Sequence, residues 1–341
     1  MMMLKKENIQ KLFDDFSKLT ILIVGDVMLD DYIVGDVNRI SPEAPVPIIN
    51  ITSRYARLGG AANVALNIKS LGAKSILCSV IGNDKKSEHF LDIMRQDNLS
   101  AQGIIKSKDR ILTTKYRAIG NNMQLLRLDS EITQPLSQND EQLFSNTLLS
   151  INDNQHIDAI IFEDYDKGVI TPTLINKVVS IAKEKSILIS VDPKKRNFLN
   201  YNQIDLFKPN WKELCEGLQL KNCTWQDDSL HDAVKQFMKN KQHKQLLLTL
   251  SGDGIIIYRF ENEEFNYVHL PAQVRNISDV SGAGDTVISV ATLCLSLGME
   301  MEIIAMMSNL AGGLVCEEVG VVAVDKEKLI KGMNVFTSKK H

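Results

Sequence analysis

No stretch of this 341-residue chain approaches the roughly 18 uninterrupted apolar residues that a membrane span requires. The first sixteen residues carry Lys5, Lys6, Glu7, Asp14 and Asp15 and lack the apolar centre of a secretory signal, so a short amphipathic helix and a cytoplasmic protein are expected. An excess of either charge is missing too. With 39 Lys and Arg against 42 Asp and Glu, the net charge is −3 and the isoelectric point lies near 6.1, which leaves no basic footprint for nucleic acid. Cysteine is scarce. The five thiols, Cys78, Cys215, Cys223, Cys294 and Cys316, are odd in number, widely spaced and without zinc-ligand spacing, so they read as reduced thiols, most of them within apolar runs. No internal repeat or low-complexity linker divides the chain. No Gly-x-Gly-x-x-Gly follows the first strand pattern, which argues against a dinucleotide-dependent oxidoreductase.

What is present is a soluble α/β pattern, with 44% hydrophobic and 24% charged residues, enough to bury a large core. Short β-rich apolar runs at 21–25, 75–81, 159–162, 187–191, 206–208, 246–250 and 255–260 alternate with helical periodicity at 61–71, 87–97, 140–151, 173–184, 229–240, 286–297 and 301–319. That alternation predicts a mostly parallel central sheet flanked by helices, built as a single domain over residues 1–341. Two segments, 32–51 and 111–128, break the alternation with strand patterns that have no helix between them. They predict either edge hairpins of the main sheet or a small separate β-sheet.

The most informative stretch is Asp279-Val-Ser-Gly-Ala-Gly-Asp-Thr286, which puts a carboxylate, Asp285, in a glycine turn opening a helix. Gly282 and Gly284 lack the Cβ that would block close approach, so backbone amides from Gly282 to Asp285 can face one anion in front of the helix. A carboxylate beside such a cup repels a resting anion but suits a base facing a hydroxyl while a phosphoryl group is in flight. The plain alternative is a helix cap with Asp285 as a first-turn acid.

Other clusters sit where strands end. Gly25-Asp-Val-Met-Leu-Asp30 offers Asp26 and Asp30 to sugar hydroxyls, and Gly59-Gly60-Ala-Ala-Asn63 opens a helix toward the same cleft. Glu163-Asp-Tyr-Asp-Lys-Gly168 presents Asp164 and Lys167, and is also a good turn sequence. Lys208-Pro-Asn-Trp-Lys-Glu213 contains Asn210, a natural N-cap, and Thr249-Leu-Ser-Gly-Asp-Gly254 runs from a strand into a glycine turn.

The 279–286 stretch resembles the carboxy-terminal signature of the PfkB, or ribokinase, family of sugar kinases. The resemblance implies a ribokinase-like fold in which residues of about 32–57 and 110–129 form a β-sheet lid over the sugar site, the lid also serving as a homodimer interface. It implies ATP and Mg²⁺ as cofactors, Asp285 as catalytic base, and amides of Gly282, Ala283 and Gly284 as the anion hole. By the same resemblance Asp30, Gly59, Gly60 and Asn63 hold the sugar. Asn210 and Glu213 organise magnesium and phosphate, Glu213 indirectly. Thr249, Ser251, Gly252, Gly254 and Asn309 line the nucleotide, and Asp279 lies near a monovalent-cation (K⁺) site.

Within the family, the blocks Arg39-Ile-Ser-Pro-Glu-Ala-Pro-Val-Pro47, Gly59-Gly-Ala-Ala-Asn-Val-Ala65, Gln124-Leu-Leu-Arg-Leu-Asp129 and Asp164-Tyr-Asp-Lys-Gly168 resemble the heptose 7-phosphate kinases, the kinase portion of ADP-heptose enzymes. A substrate already carrying a phosphate needs cations at its sugar end, and the lid segments supply Arg39, Lys115, Arg117 and Arg127. The pattern departs at Glu163, where the family resemblance predicts a small polar residue, at Lys195 in place of a glycine, and at Val324 in place of a potassium-site serine. No nucleotidyltransferase motif precedes His341, so a separate adenylyltransferase partner is expected. The competing expectations are another sugar or nucleoside kinase and a nucleotide- or sugar-binding regulator without turnover.

Overall fold

Ile9, Leu12, Phe13 and Phe16 recur on one helical face, and all four are buried in the first helix, α1 (Lys6–Phe16). The computed structural model describes residues 6–221, 223–273 and 277–338, so the first five residues of that expected helix, and the chain end at His341, lie outside the described residues. The apolar run Thr20–Gly25 forms β1, and the chain then continues almost without a break into β2 (Val27–Ile40), which returns as β3 (Pro47–Gly60). Next come α2 (Ala61–Ser70), β4 (Lys74–Gly82), α3 (Lys85–Gln96), β5 (Gly103–Ser107), β6 (Thr113–Gly120), β7 (Met123–Ser130) and α4 (Gln138–Asn154). The middle of the chain gives β8 (Ala159–Glu163), α5 (Pro172–Glu184), β9 (Leu188–Asp192), β10 (Leu206–Phe207), α6 (Trp211–Leu218) and α7 (Asp228–Lys241). It closes with β11 (Gln245–Thr249), β12 (Ile255–Glu261), β13 (Glu264–Leu270), α8 (Ala283–Ser296), α9 (Met301–Val315) and α10 (Lys326–Ser338).

Nine strands make one sheet in the order β13-β12-β11-β10-β9-β8-β1-β4-β5, parallel throughout except for the antiparallel β11–β12–β13 edge. Strand period two splits its apolar residues between two cores. Ile21 and Ile23 face the layer containing α2, α8 and α9, whereas Leu22 and Val24 face the layer containing α4, α5 and α7. The order reverses on either side of β1, and such a switch point opens a crevice at the strand carboxyl ends.

A second sheet of four strands, in the order β3-β2-β6-β7, is separate from the first. The two segments that broke the alternation therefore pair with each other rather than extending the main sheet, and the sheet reaches past the expected bounds, beginning at Val27 on β2 and running to Gly60 at the end of β3. Its root is tied to the body by Arg57, whose guanidinium donates to the carbonyls of Val319 (2.8 Å) and Val321 (3.0 Å).

Candidate active site

The residues with chemistry stand at the carboxyl ends of neighbouring strands: Asp26 after β1, Glu163 on β8, Asp192 on β9, Lys208 after β10 and Thr249 on β11. Facing them is the amino terminus of α8, with Gly282 as N-cap at φ +81°, a conformation that favours glycine. There is a second reason for glycine at this position. A Cβ on Gly282 would lie 2.9 Å from Asn63 Nδ2. The fold needs this close approach, because Asn63 Nδ2 donates to Asp285 Oδ2 at 2.8 Å.

Asp285 is buried, and Tyr165 donates its hydroxyl to the other oxygen, Oδ1, at 2.7 Å. Burial pushes this carboxyl up to about 6, while the hydrogen bonds from Asn63 and Tyr165 pull the other way. A carboxyl in that range, ionised at neutral pH and held from both sides, suits a general base. Of the three amides expected to face an anion, that of Ala283 already donates to Val280 O at 3.3 Å, which leaves Gly282 and Gly284 as the better placed donors.

Sequence reasoning passed over the cationic partner of this turn. Lys208, only 2% exposed, reaches Asp192 Oδ2 at 2.8 Å, and a Cβ on Gly284 would lie 3.6 Å from its Nζ, so the ammonium stands beside the α8 amino terminus. Lys194 joins it, bonding Asp192 Oδ1 at 3.4 Å and Glu213 Oε1 at 2.5 Å. Burial pushes Asp192 up, but these two ammonium groups more than offset it and hold the carboxyl below its ordinary range. The signal lay in a lysine between a two-residue apolar strand and a proline, a place where a buried charge is unusual.

A cleft of about 420 Å³ joins Asp285 and the 282–284 turn to Asn210, Thr249, Ser251, Gly252, Gly254 and Asn309. Six of the seven expected nucleotide-side residues are thus brought together, with Ala272, Ile277, Gly312 and Cys316, which were not anticipated, adding to the wall. Glu213 lies behind this wall in a capping box with Asn210, its Oε2 accepting the Asn210 N–H at 2.9 Å. Asn210 is therefore both helix cap and cleft residue.

On the side of the four-stranded sheet, Asp30 pairs with Arg117, both buried, and Gly59 is glycine because a Cβ would meet Asp30 Oδ2 at 2.4 Å. At Gly60, φ is +60°, and a Cβ would meet the Asp26 carbonyl at 2.5 Å. Tyr165 links the two sides. Its ring lies between Lys115 Nζ at 5.3 Å and Lys194 Nζ at 5.1 Å, while its hydroxyl holds Asp285.

Two of the expected sugar ligands have protein partners of their own. Asp26 accepts the N–H groups of Tyr165 (2.8 Å), Lys167 (3.1 Å) and Val169 (3.1 Å), so its carboxylate shapes the 164–169 turn and has little left for a ligand. Asp164 faces away into Asn197 (2.9 Å) and Tyr201 (3.0 Å), and burial raises it to about 7. Lys167 pairs with Glu131 at 2.8 Å, and Arg127 makes a two-pronged contact with Asp129 at 2.8 and 2.9 Å. Asp279 lies apart from Asp285, its oxygens accepting the amides of Ser281 and Gly320 at 2.9 Å each, which ties the α8 turn to the segment that receives Arg57.

The description "pfkB family carbohydrate kinase" belongs to the family model that matches residues 18–328. The bifunctional protein HldE of Desulfatibacillum aliphaticivorans is 36% identical over 316 residues, covering 92% of this chain and 63% of that protein. The chain thus spans a little under two thirds of the length of such relatives. Phosphofructokinase-2 from Escherichia coli in complex with potassium superposes with a TM-score of 0.75 at 17% identity, covering 94% of this chain and 99% of that one. Ribokinase from Arabidopsis thaliana, complexed with ribose and ATP, gives 0.69 at 15% identity, covering 92% and 98%.

Proposed function

Because the chain belongs to the pfkB family of carbohydrate kinases, we propose that it transfers the γ-phosphoryl group of ATP to the anomeric hydroxyl of D-glycero-D-manno-heptose 7-phosphate. The product is the 1,7-bisphosphate, a step toward ADP-heptose and the lipopolysaccharide core. The observation that carries the transfer chemistry is Asp285, buried at the amino terminus of α8, held by Asn63 and Tyr165 and opening on the same cleft as Lys208 and Asn210. The heptose phosphate as acceptor is supported by the HldE relatives and by cationic groups on the lid.

In this reading Asp285 takes the proton of the acceptor hydroxyl as its oxygen attacks phosphorus. The Gly282 and Gly284 amides and the Lys208 ammonium face the charge on the transferred group, and positioning supplies most of the remaining rate. Magnesium, when bound with ATP, neutralises phosphate charge. Both Glu213 oxygens already have protein partners, so Glu213 would act on that ion through water, which suits a cation that keeps much of its hydration. Asp30 accepts from sugar hydroxyls. Lys115 has no carboxylate partner within ion-pair distance among the described residues, which fits it to the substrate's own phosphate better than Arg117 or Arg127. An adenylyltransferase acts next on the product, as a fused domain or a separate protein; the name of the bifunctional relatives favours the first.

Removal of the Tyr165 hydroxyl tests how the base is tuned. Hydrogen bonds to a charged group contribute about 1.5–3 kcal/mol, and roughly 1.4 kcal/mol corresponds to one pKa unit. Tyr165→Phe should move the acid limb of the kcat profile upward from about 6 by about one to two pH units, with little effect at pH 9. An unmoved limb would separate Tyr165 from the base.

Ile51, Met123, Leu126 and Leu128 expose 53–67% of their surface on the lid sheet, an apolar patch of the kind that a second copy covers. Sedimentation should give a two-chain species, and Leu126→Asp with Leu128→Asp should leave single chains. A wild-type monomer at micromolar concentration would end the dimer reading.

The decisive assay is ADP release with ATP and Mg²⁺ against heptose 7-phosphate, ribose, fructose 6-phosphate and adenosine. Selective turnover of the heptose phosphate is expected. Preference for another acceptor keeps the chemistry and removes the assignment of substrate, and silence across the panel favours a binding protein.

A further inference from the structure

Residues 316–325 join α9 to α10 without a strand or helix of their own, yet they are held at several points, and the small sheet supplies one of them. Arg57, near the end of β3, lies against two stacked rings, 5.8 Å from the centre of Tyr32 and 5.4 Å from that of Tyr55. The rings give a long side chain one direction, and a single nitrogen, Nη1, donates to both Val319 O and Val321 O. Gly320 stands between those carbonyls at φ +75°. A Cβ on it would meet the Tyr32 hydroxyl at 2.8 Å and Arg57 Nη1 at 3.0 Å, so the contact between sheet and connection requires glycine there.

The connection is in turn bonded to the residues that lead into α8. Gly320 N–H donates to Asp279 Oδ2, and Asp279 Oδ1 accepts the N–H of Ser281, both at 2.9 Å. The Cys316 carbonyl accepts the N–H groups of Ser278 (2.8 Å) and Asp279 (3.2 Å). Val321 also packs on the turn itself, since a Cβ on Gly282 would lie 3.3 Å from Val321 Cγ1. Gly282 is the N-cap of α8, so this path ends at the amides that face the transferred group. It begins beside the acceptor side. Arg57 stands opposite Asp30 in the β2–β3 register, and Arg117, the partner of Asp30, lies 5.4 Å from the centre of the Tyr32 ring.

We propose that Arg57 is a positioning residue, through which the four-stranded sheet fixes the Gly282 and Gly284 amides by way of the 319–321 segment and Asp279. Donors to a developing charge are effective only when they are in place before the charge appears, and a displacement of about 1 Å can cost about 10²-fold in rate. A segment with no backbone ladder cannot give that rigidity alone, and the guanidinium bonded to two of its carbonyls supplies it. The half of the site that receives the acceptor thereby sets the half that receives the phosphoryl group. Arg57 acts through the backbone of other residues and is neither a base nor a phosphate ligand.

The consequence for rate rests on the kinase reading, whereas amide hydrogen exchange followed by NMR needs neither nucleotide nor acceptor and tests the path by itself. In Arg57→Gln, exchange at the Gly320 and Ser281 amides should rise by about 10-fold or more, the effect of losing hydrogen bonds from a charged donor, while amides of the central sheet stay as in wild type. With an acceptor that the wild type turns over, kcat should fall by about 10-fold or more and the KM for ATP should stay within about three-fold. Arg57→Lys, which keeps a charged donor, should recover part of both. Gly320→Ala forces the same contact open from the other side and should reproduce the loss. Arg54→Gln, on the same strand but paired with Asp31, should change neither readout. Wild-type exchange at Ser281 in Arg57→Gln would overturn the proposal whatever the rate does. Faster exchange with an unchanged kcat would overturn it as well, because the turn would then work without support from the sheet. A wild type silent toward every acceptor would remove the kinase reading, and the exchange result would still decide the path.

Discussion

Asp285→Asn should lower turnover by about 10² or more while leaving ATP affinity within a few-fold of wild type, the usual weight of a general base. The asparagine keeps the shape and cannot accept the proton. The same experiment has a pH signature. Burial raises the Asp285 carboxyl to about 6, and a base works only when ionised, so wild-type kcat should fall as pH drops through about 6. The sign for stability is opposite. A carboxyl held above its ordinary 3.8 binds its proton more tightly in the fold than in the unfolded chain, so its stabilising contribution is full below 3.8 and lost as pH rises through about 6. Any acid-side loss of activity near 6 therefore cannot come from this group destabilising the fold. In Asp285→Asn that limb should vanish from the residual rate. A variant with wild-type turnover would remove Asp285 from the chemistry.

The turn around Asp285 was legible because glycine spacing and a helix start are local properties. So were the alternation of strands and helices and the break in it at the two segments that form the small sheet, which depend on period and on what each segment lacks. What was not legible was whatever depends on side-chain direction at a strand end. Asp26 and Asp30 stand four residues apart in one cluster, yet the first is consumed by three amides of the 164–169 turn and the second meets Arg117 on the neighbouring strand of the small sheet. Nothing in the local sequence separates these fates. Helix α10 escaped notice, and α6 was foreseen only as the helix that Asn210 would cap: it is eight residues long, and its capping box reads equally well as a ligand motif. Tyr165 and Lys208 were hidden inside motifs whose neighbours drew attention, and their roles follow only once β8, β9 and β10 stand side by side.

Lys208→Met should be the most damaging single change outside Asp285, and for two separable reasons. The ammonium is buried and bonds Asp192 at 2.8 Å, so its loss leaves that carboxylate with Lys194 at 3.4 Å and two further acidic side chains close by. Breaking such a pair from one side costs about 3–5 kcal/mol, which for a chain of this size lowers the melting temperature on the order of 10 °C. The second effect is catalytic. A donor aimed at developing negative charge contributes about 10²–10³ to turnover. Adding Asp192→Asn removes the stranded charge and should restore most of the stability, because the pair couples only while both charges are present. It should restore none of the turnover, since the ammonium beside Gly284 is still missing. Recovery of both together would make Lys208 a structural partner of Asp192 alone, and recovery of neither would mean that its burial among other groups, rather than the ion pair, is what the fold requires.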